Sequence, residues 1–401
     1  MRWIGLACAL LLFPSCVRQD FRVVVPESAK ETKLRIDAKL APADILFIVD
    51  NSASMADEQE NLAQNFQAFI EALAAIKTGD YQIGIVTTDL DSVGNERSGL
   101  VSSVFHDNAP FALDHIDGSL CAPTEIPHGC FRGADPAGRI IRASQPIAEQ
   151  VASFQANVRV GSCGSGNEQG LEAMRAALLN AAPGACNQGF LRPGAELVVI
   201  IVSDEDDTTL PGHSARPIQE YVDFLVGLKG DPRLVRVAAI VGSADQAAHD
   251  CNLAGATCSQ SCSAFNAPGC CSALAGSRYV ALAEAAGAGV SGSPVERCGL
   301  VADGPTPCLV DSICQTSFAN TLERIATDLI GPGDRVNISP PAKYPPGVVV
   351  ELNGVALENC AAPGAGPDCD FTVSADGTSL WMKRSPGPGD SVQVFAVVQE
   401  P

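Results

Sequence analysis

Asp50-Asn51-Ser52-Ala53-Ser54 closes an unbroken apolar run, Ile45-Leu46-Phe47-Ile48-Val49. A strand-end carboxylate followed by two hydroxyls on the next turn offers the oxygen ligands that a hard divalent cation takes. A second apolar run, Leu197 to Val202, leads into Ser203-Asp204-Glu205-Asp206-Asp207 and sets another aspartate at a strand end. Each feature also has a plainer explanation. Asp-Asn-Ser-Ala-Ser ahead of a helix is the pattern of a turn and an N-cap. Asp206 and Asp207 read as solvated loop charges, and Glu168 as a first-turn acid favourable with the helix dipole.

Other chemistries lack their signatures. The chain has no Gly-x-Ser-x-Gly elbow and no His-Glu-x-x-His, so two common hydrolase routes are without their motifs. Gly164-Ser165-Gly166-Asn167-Glu168-Gln169-Gly170 superficially looks like a nucleotide loop, but no strong strand precedes it and it carries no lysine for phosphate. The five histidines are scattered through loop-like sequence. A net charge of −20, with no basic run, argues against nucleic acid, which needs clustered Lys and Arg to displace counterions.

The elements that must position the acidic residues can be traced in the 401-residue chain. Apolar runs at Ile45–Val49, Ile83–Val86 and Leu197–Val202, and the mostly apolar Val235–Val241, predict strands buried on both faces, as in a parallel sheet covered by helices. Leu62, Phe66, Phe69, Ile70, Leu73 and Ile76 recur at three- and four-residue spacings and predict a helix between the first two strands. The same periodicity predicts helices over about 167–181 and 315–330. Alternation of this kind means a doubly wound α/β domain with a mostly parallel sheet. After Gly331-Pro332-Gly333 the helical period vanishes. Short β-type runs at Val348–Val350, Phe371–Val373 and Val392–Val398 predict a small C-terminal all-β domain, with Asn353-Gly354 as a hairpin turn.

The N-terminus reads as an export signal. Arg2 precedes an apolar stretch, Trp3 to Phe13, too short to span a bilayer, and Pro14-Ser15-Cys16 follows. This resembles a bacterial lipobox, with Cys16 as the lipidated first residue; plain secretory cleavage is the alternative. Val17 after the cysteine points, by analogy with other lipoproteins, to the outer membrane. The chain has 16 cysteines; setting aside Cys8 in the signal and Cys16 leaves an even number that could pair. Export favours disulfides over zinc for the cluster Cys251, Cys258, Cys262, Cys270 and Cys271 and for Cys298, Cys308 and Cys314 downstream. Cys121–Cys130 and Cys360–Cys369 are plausible short-range staples. The expected divisions are a signal segment 1–15, a tether 16–42, an α/β domain 43–331 with cysteine-rich insertions, and the β-rich domain 334–401.

The segment Ile45 to Met55 resembles the metal-ion-dependent adhesion site of von Willebrand factor A domains, and the likeness extends over about residues 43–331. The resemblance implies that a later loop supplies a Thr and that the fourth strand's end supplies an Asp. Asp204 matches the latter. Counting back from Gly170, Ser165 falls where the Thr usually stands, with Ser162 or water as substitutes. The family's third strand runs antiparallel, and a helix at about Gln145 to Asn157 returns the chain to the site's edge. The implied ligand set is Asp50, Ser52, Ser54, Ser165 and Asp204, holding magnesium or, second, calcium. The implied function is metal-dependent protein binding at the cell envelope without catalysis, in which a partner's acidic residue completes the metal shell. The only implied membrane contact is through the lipid. A structural lipoprotein with a degenerate site and a metal-dependent hydrolase are the alternatives.

Overall fold

The computed structural model describes residues 34–37, 42–90 apart from 53 and 77–79, 113–114, 122–123, 127–133, 138–161, 164, 168–208, 216–242, 273–291, 298, 308–330 apart from 316, 335–338, 341–383 apart from 367, and 392–397. In chain order the first elements are β1 (Leu34–Asp37), β2 (Ala43–Val49), α1 (Ala56–Ile76), β3 (Tyr81–Thr87) and a two-residue ladder of β4 (Leu113–Asp114) with β5 (Ala122–Pro123). Next come β6 (Ile141–Arg142), α2 (Ile147–Val158), α3 (Gly170–Leu179), β7 (Glu196–Ser203), α4 (Ile218–Lys229) and β8 (Val235–Val241). Then follow α5 (Ser277–Ser291), β9 (Cys308–Ser312) and α6 (Ala319–Arg324), which runs on as a π-helical turn, Ile325–Ile330. The helices expected over 167–181, 315–330 and Gln145 to Asn157 are thus present with slightly different ends.

Six strands form the central sheet in the order β6-β3-β2-β7-β8-β9. All neighbours are parallel except β6, which pairs antiparallel with β3. From β2 the chain steps outward to β3 and β6, then returns past β2 to build β7, β8 and β9 on the other side. The direction of winding therefore reverses between β2 and β7, which opens a crevice at their carboxyl ends. Both strands end at that crevice, β2 in Asp50 and β7 in Ser203-Asp204.

Both sheet faces are buried, so its strands are largely apolar, with Asp44, Gln82 and Arg236 as buried polar exceptions. Ile45, Phe47 and Val49 face α1, α2 and α6, where Phe47 meets Phe69 and Phe154 edge-on at 5.8 and 5.1 Å between ring centroids. Leu46 and Ile48 face the opposite layer of α3, α4 and α5. Two independent apolar layers grip one sheet, so the carboxyl edge is held from both sides.

The later strands are β10 (Arg335–Asn337), β11 (Val349–Leu352), β12 (Val355–Leu357), β13 (Phe371–Val373), β14 (Ser379–Met382) and β15 (Val392–Ala396). They form two antiparallel sheets, β1-β15-β11-β12 and β10-β14-β13, around a separate core that includes Val336, Val350, Phe371, Leu380 and Val394. Asn353 and Gly354 make the two-residue turn between β11 and β12, both with positive φ (52° and 79°), as a type I′ hairpin requires. Strand β1 lies inside the stretch expected to be a tether, yet it pairs with β15. Residues on both sides of the α/β region therefore share one sheet.

Cys360 and Cys369 are bonded as expected, and Cys298 pairs with Cys308. Cys314 is also disulfide-bonded. Cys130 pairs with Cys186 rather than Cys121. The reason lies in the backbone around it: Phe131 N donates to Asn187 Oδ1 and Asn187 Nδ2 donates to Gly129 O, which stitches residues 129–131 to the turn after α3. Residues 1–15, Cys16, Cys121 and the cluster Cys251 to Cys271 lie outside the described residues. Among the described residues, no helix is long and apolar enough to cross a membrane.

Candidate metal centre

Asp50 is fully buried where β2 ends. Ser52 N donates to its Oδ1 at 2.7 Å and the Ser203 hydroxyl, from the end of β7, donates to its Oδ2 at 2.6 Å. The carboxylate thus bridges the two strands that flank the crevice. Ser52 Oγ and Ser54 Oγ lie 3.1 Å apart, and Ser54 hydrogen-bonds the carboxylate of Asp204. Four of the five expected ligands, Asp50, Ser52, Ser54 and Asp204, are therefore brought together. Ser165, the fifth, and Ser162 lie outside the described residues. Their loop is tied to the site at Gly164, whose N–H donates to Asn51 O at 2.7 Å.

Sequence reasoning passed over four participants. Glu168, expected as a first-turn helix-dipole acid, is buried beside Asp50. One of its oxygens accepts a hydrogen bond from the Thr88 hydroxyl, just past β3, and the other, Oε1, has no hydrogen-bond partner. Gln59 is buried on α1. Its Nε2 donates to Asp50 O and Gly161 O, and its Oε1 accepts from Gly161 N, so one side chain clamps the two loops. Ser203 is the fourth. Only its adjacency to Asp204 marked it in the sequence.

Asp207 is buried and Asp206 half-buried, and both are tied into the fold rather than free loop charges. Asp206 Oδ1 accepts from Arg278 N in the first turn of α5. Asp207 Oδ1 accepts from Leu171 N in the first turn of α3, and its Oδ2 pairs with Arg278 Nε at 3.0 Å. Helix N-termini leave free N–H groups that acids satisfy, and these two loop acids do so for helices far away in sequence.

The electrostatics follow from burial. Desolvation raises the Asp50 carboxyl, opposed by hydrogen bonds from Ser203 and Ser52 and by contact with Glu168. Burial raises Glu168 well above its ordinary range, and the neighbouring Asp50 charge raises it further. Burial and then Asp50 push Asp204 up to about 9, against the Ser54 hydrogen bond. Asp204 Oδ1, like Glu168 Oε1, is buried without a partner. Carboxylates cannot donate to one another; they share a confined site by holding protons or by surrounding a cation. Among the described residues no three carboxyl, imidazole or thiol groups form a ready metal cage, so a cation here must draw on hydroxyls and carboxylates together. Two orphaned, buried carboxylate oxygens beside two hydroxyls suit a hard cation of that kind.

No protein-family model matches the chain, and no curated protein does. Among solved structures, proximal thread matrix protein 1 from the mussel byssus is similar at 11% identity and TM-score 0.34, over 76% of this chain and 51% of that one. The same protein with a zinc-occupied MIDAS motif is similar at 14% identity and TM-score 0.27, over 52% and 40%. The pilus adhesin SpaC from Lactobacillus rhamnosus GG is similar at 12% identity and TM-score 0.33, over 91% and 40%. The chain thus spans about half or less of the length of these proteins. Superpositions at such TM-scores assign neither family nor function, and the site of this chain has to speak for itself.

Proposed function

We propose that the chain is an exported, lipid-anchored envelope protein whose α/β region is a von Willebrand factor A-type domain that binds a partner protein through a divalent cation. Asp50, Ser52, Ser54 and Asp204 hold the cation directly or through water, with Ser165 and Glu168 as the contributors from the loop before α3. Magnesium is the preferred ion and calcium the second, since hydroxyls, carboxylates and water suit a small octahedral shell. When bound, the ion supplies an open coordination position for an acidic side chain of the partner. Asp50 fixes the ion to the strand ends, the serine hydroxyls orient around it, and Asp204 contributes its unpartnered oxygen. The role is binding rather than catalysis, at the outer membrane through lipid on Cys16.

One observation carries this reading. Two strand-end aspartates and two serine hydroxyls converge at the sheet's switch point with a buried carboxylate oxygen left without a donor. Isothermal titration calorimetry of the mature chain should show one magnesium or calcium bound, with binding abolished by Asp50→Ala and by Asp204→Ala. A pull-down from envelope extract should recover a partner with magnesium and lose it with chelator. Wild-type protein that takes up neither ion would sink the proposal.

A further inference from the structure

Asp207 and Arg278 touch none of the proposed ligands, yet they join the pieces of backbone that carry them. Asp207 sits three residues beyond Asp204 and caps α3 through Leu171 N at 3.0 Å, three residues beyond Glu168. From the other side, Thr208 N donates to Glu168 O at 2.7 Å. The loop after β7 and the segment entering α3 are thus tied at two adjacent residues. Arg278 locks the tie from the third direction. Its Nε pairs with Asp207 Oδ2 at 3.0 Å, its backbone N donates to Asp206 Oδ1 at 2.9 Å, and its guanidinium donates to Arg216 O. Leu274, just before α5, donates its N–H to Asp204 O at 2.7 Å.

We propose that Asp207, held by Arg278, is a positioning residue that sets the separation between Asp204 and Glu168 and thereby the affinity of the site for its cation. The proposal rests on the cation reading above. The Asp207 carboxylate is 6% exposed and the Arg278 side chain 24%, so the pair is shielded enough to fix geometry. A bare helix cap would stabilise α3 alone. Here the cap comes from the same loop as Asp204, and α3 begins beside Glu168, so loosening it lets two carboxylates drift apart that a small cation must hold together.

Calorimetry with magnesium and calcium on the mature chain tests this. Asp207→Ala should weaken binding about tenfold or more, whereas Asp207→Asn, which keeps the acceptor for Leu171 N but sets an amide donor against Arg278 Nε, should weaken it less, to about the level of Arg278→Gln. Arg278→Gln breaks the ion pair without removing the α3 cap and should weaken binding by an intermediate factor, which covers the case that Asp207→Ala does not fold. The loss caused by Asp207→Ala should also shrink in a Glu168→Gln background, an interaction that a purely structural cap does not produce. Wild-type binding with unchanged affinity in Asp207→Ala and Arg278→Gln overturns the positioning role alone. Absence of binding in wild type overturns both this inference and the cation reading.

Discussion

Strand β2 carries two fully buried aspartates, Asp44 near its start and Asp50 at its end, and their surroundings are opposite. Asp44 receives Arg192 N and Nε at 2.8 and 2.7 Å, Lys229 Nζ at 3.2 Å and Gln82 Nε2 at 3.2 Å. Its charge is neutralised by two cationic side chains. Asp50 faces Glu168 and Asp204 instead, and among the described residues no Lys or Arg pairs with any of the three. Burying a charge is costly unless it is paired. The amino edge of the sheet meets that requirement from its own residues. The carboxyl edge does not, and its deficit is of the kind a divalent cation repairs.

The largest effect should come from breaking the complete arrangement. Asp44→Ala removes the carboxylate that pairs with Lys229, whose side chain is 4% exposed, and removal of one partner from a buried pair costs about 3–5 kcal/mol. Chemical denaturation should show this loss equally with and without magnesium. In contrast, Asp50→Asn in chelator should leave the midpoint unchanged or raise it, because it removes one of several crowded negative charges. A large destabilisation of metal-free protein by Asp50→Asn would erase the contrast between the two edges.

Supplying the cation should give the next largest effect. At a free concentration one hundred times its dissociation constant, magnesium should stabilise wild type by about 2.7 kcal/mol and leave Asp50→Asn unaffected. The pH dependence has a definite sign. Asp204 titrates at about 9 in the fold against its ordinary 3.8, so the folded state holds the proton more tightly. Its favourable contribution is present below pH 4 and is lost as pH rises through 9. In chelator, stability should therefore decline from acid to mildly alkaline pH. Saturating magnesium should flatten that decline, since the cation binds the deprotonated ligands and strengthens as pH rises. Parallel pH profiles with and without magnesium would contradict the site.

The sequence made one edge more legible than the other, for physical reasons. Asp50, Ser52, Ser54 and Asp204 stand out because a doubly buried strand is largely apolar, so the polar residues that follow its apolar run mark the carboxyl edge. Glu168 was hidden because a helix-dipole acid and a site carboxylate look the same until α3 is known to start beside the end of β2. Gln59 resembled any polar residue on an amphipathic helix. Asp207 looked solvated because its partner, Arg278, lies 71 residues away. The Cys130–Cys186 bond, spanning 56 residues, was hidden by the same non-locality. Strand β1 was missed because four residues carry too little period to stand out. The central sheet, its helices and the Asn353-Gly354 hairpin were readable because local pattern and global fold agree there.

A smaller effect is expected at Gly164, whose backbone packs against Asn51, next to Asp50. A Cβ on Gly164 would come within 2.3 Å of Asn51 Oδ1, a side chain that is itself buried. Gly164→Ala must therefore push the loop outward, and overpacking of this sort costs about 1–3 kcal/mol. Because the strain falls on the crevice, magnesium affinity should drop by more than the melting temperature in chelator suggests. An alanine variant with wild-type affinity would show that this loop does not set the site.

The smallest effect belongs to a carboxylate that is paired but exposed. Glu60, on α1, accepts from Arg159 Nε at 2.9 Å, with the two side chains 47% and 33% exposed. The Arg159 and Gln64 hydrogen bonds hold its carboxyl below the ordinary range. Its stabilising contribution is therefore present above the ordinary carboxylate value and is lost as pH falls through the folded one, opposite in sign to Asp204. Exposed pairs are weakened by solvent, salt and the entropy of ordering two long side chains, so Glu60→Gln should cost under about 1 kcal/mol. The cost should shrink further at high salt, where the Debye length falls to about 3 Å at 1 M. The Asp44 cluster, shielded from solvent, should keep most of its effect at that salt. Denaturation midpoints of Glu60→Gln and Asp44→Ala at low and high salt separate the two cases. An equal salt response would mean that burial, the property on which the contrast between the sheet edges depends, does not set the strength of these carboxylate interactions.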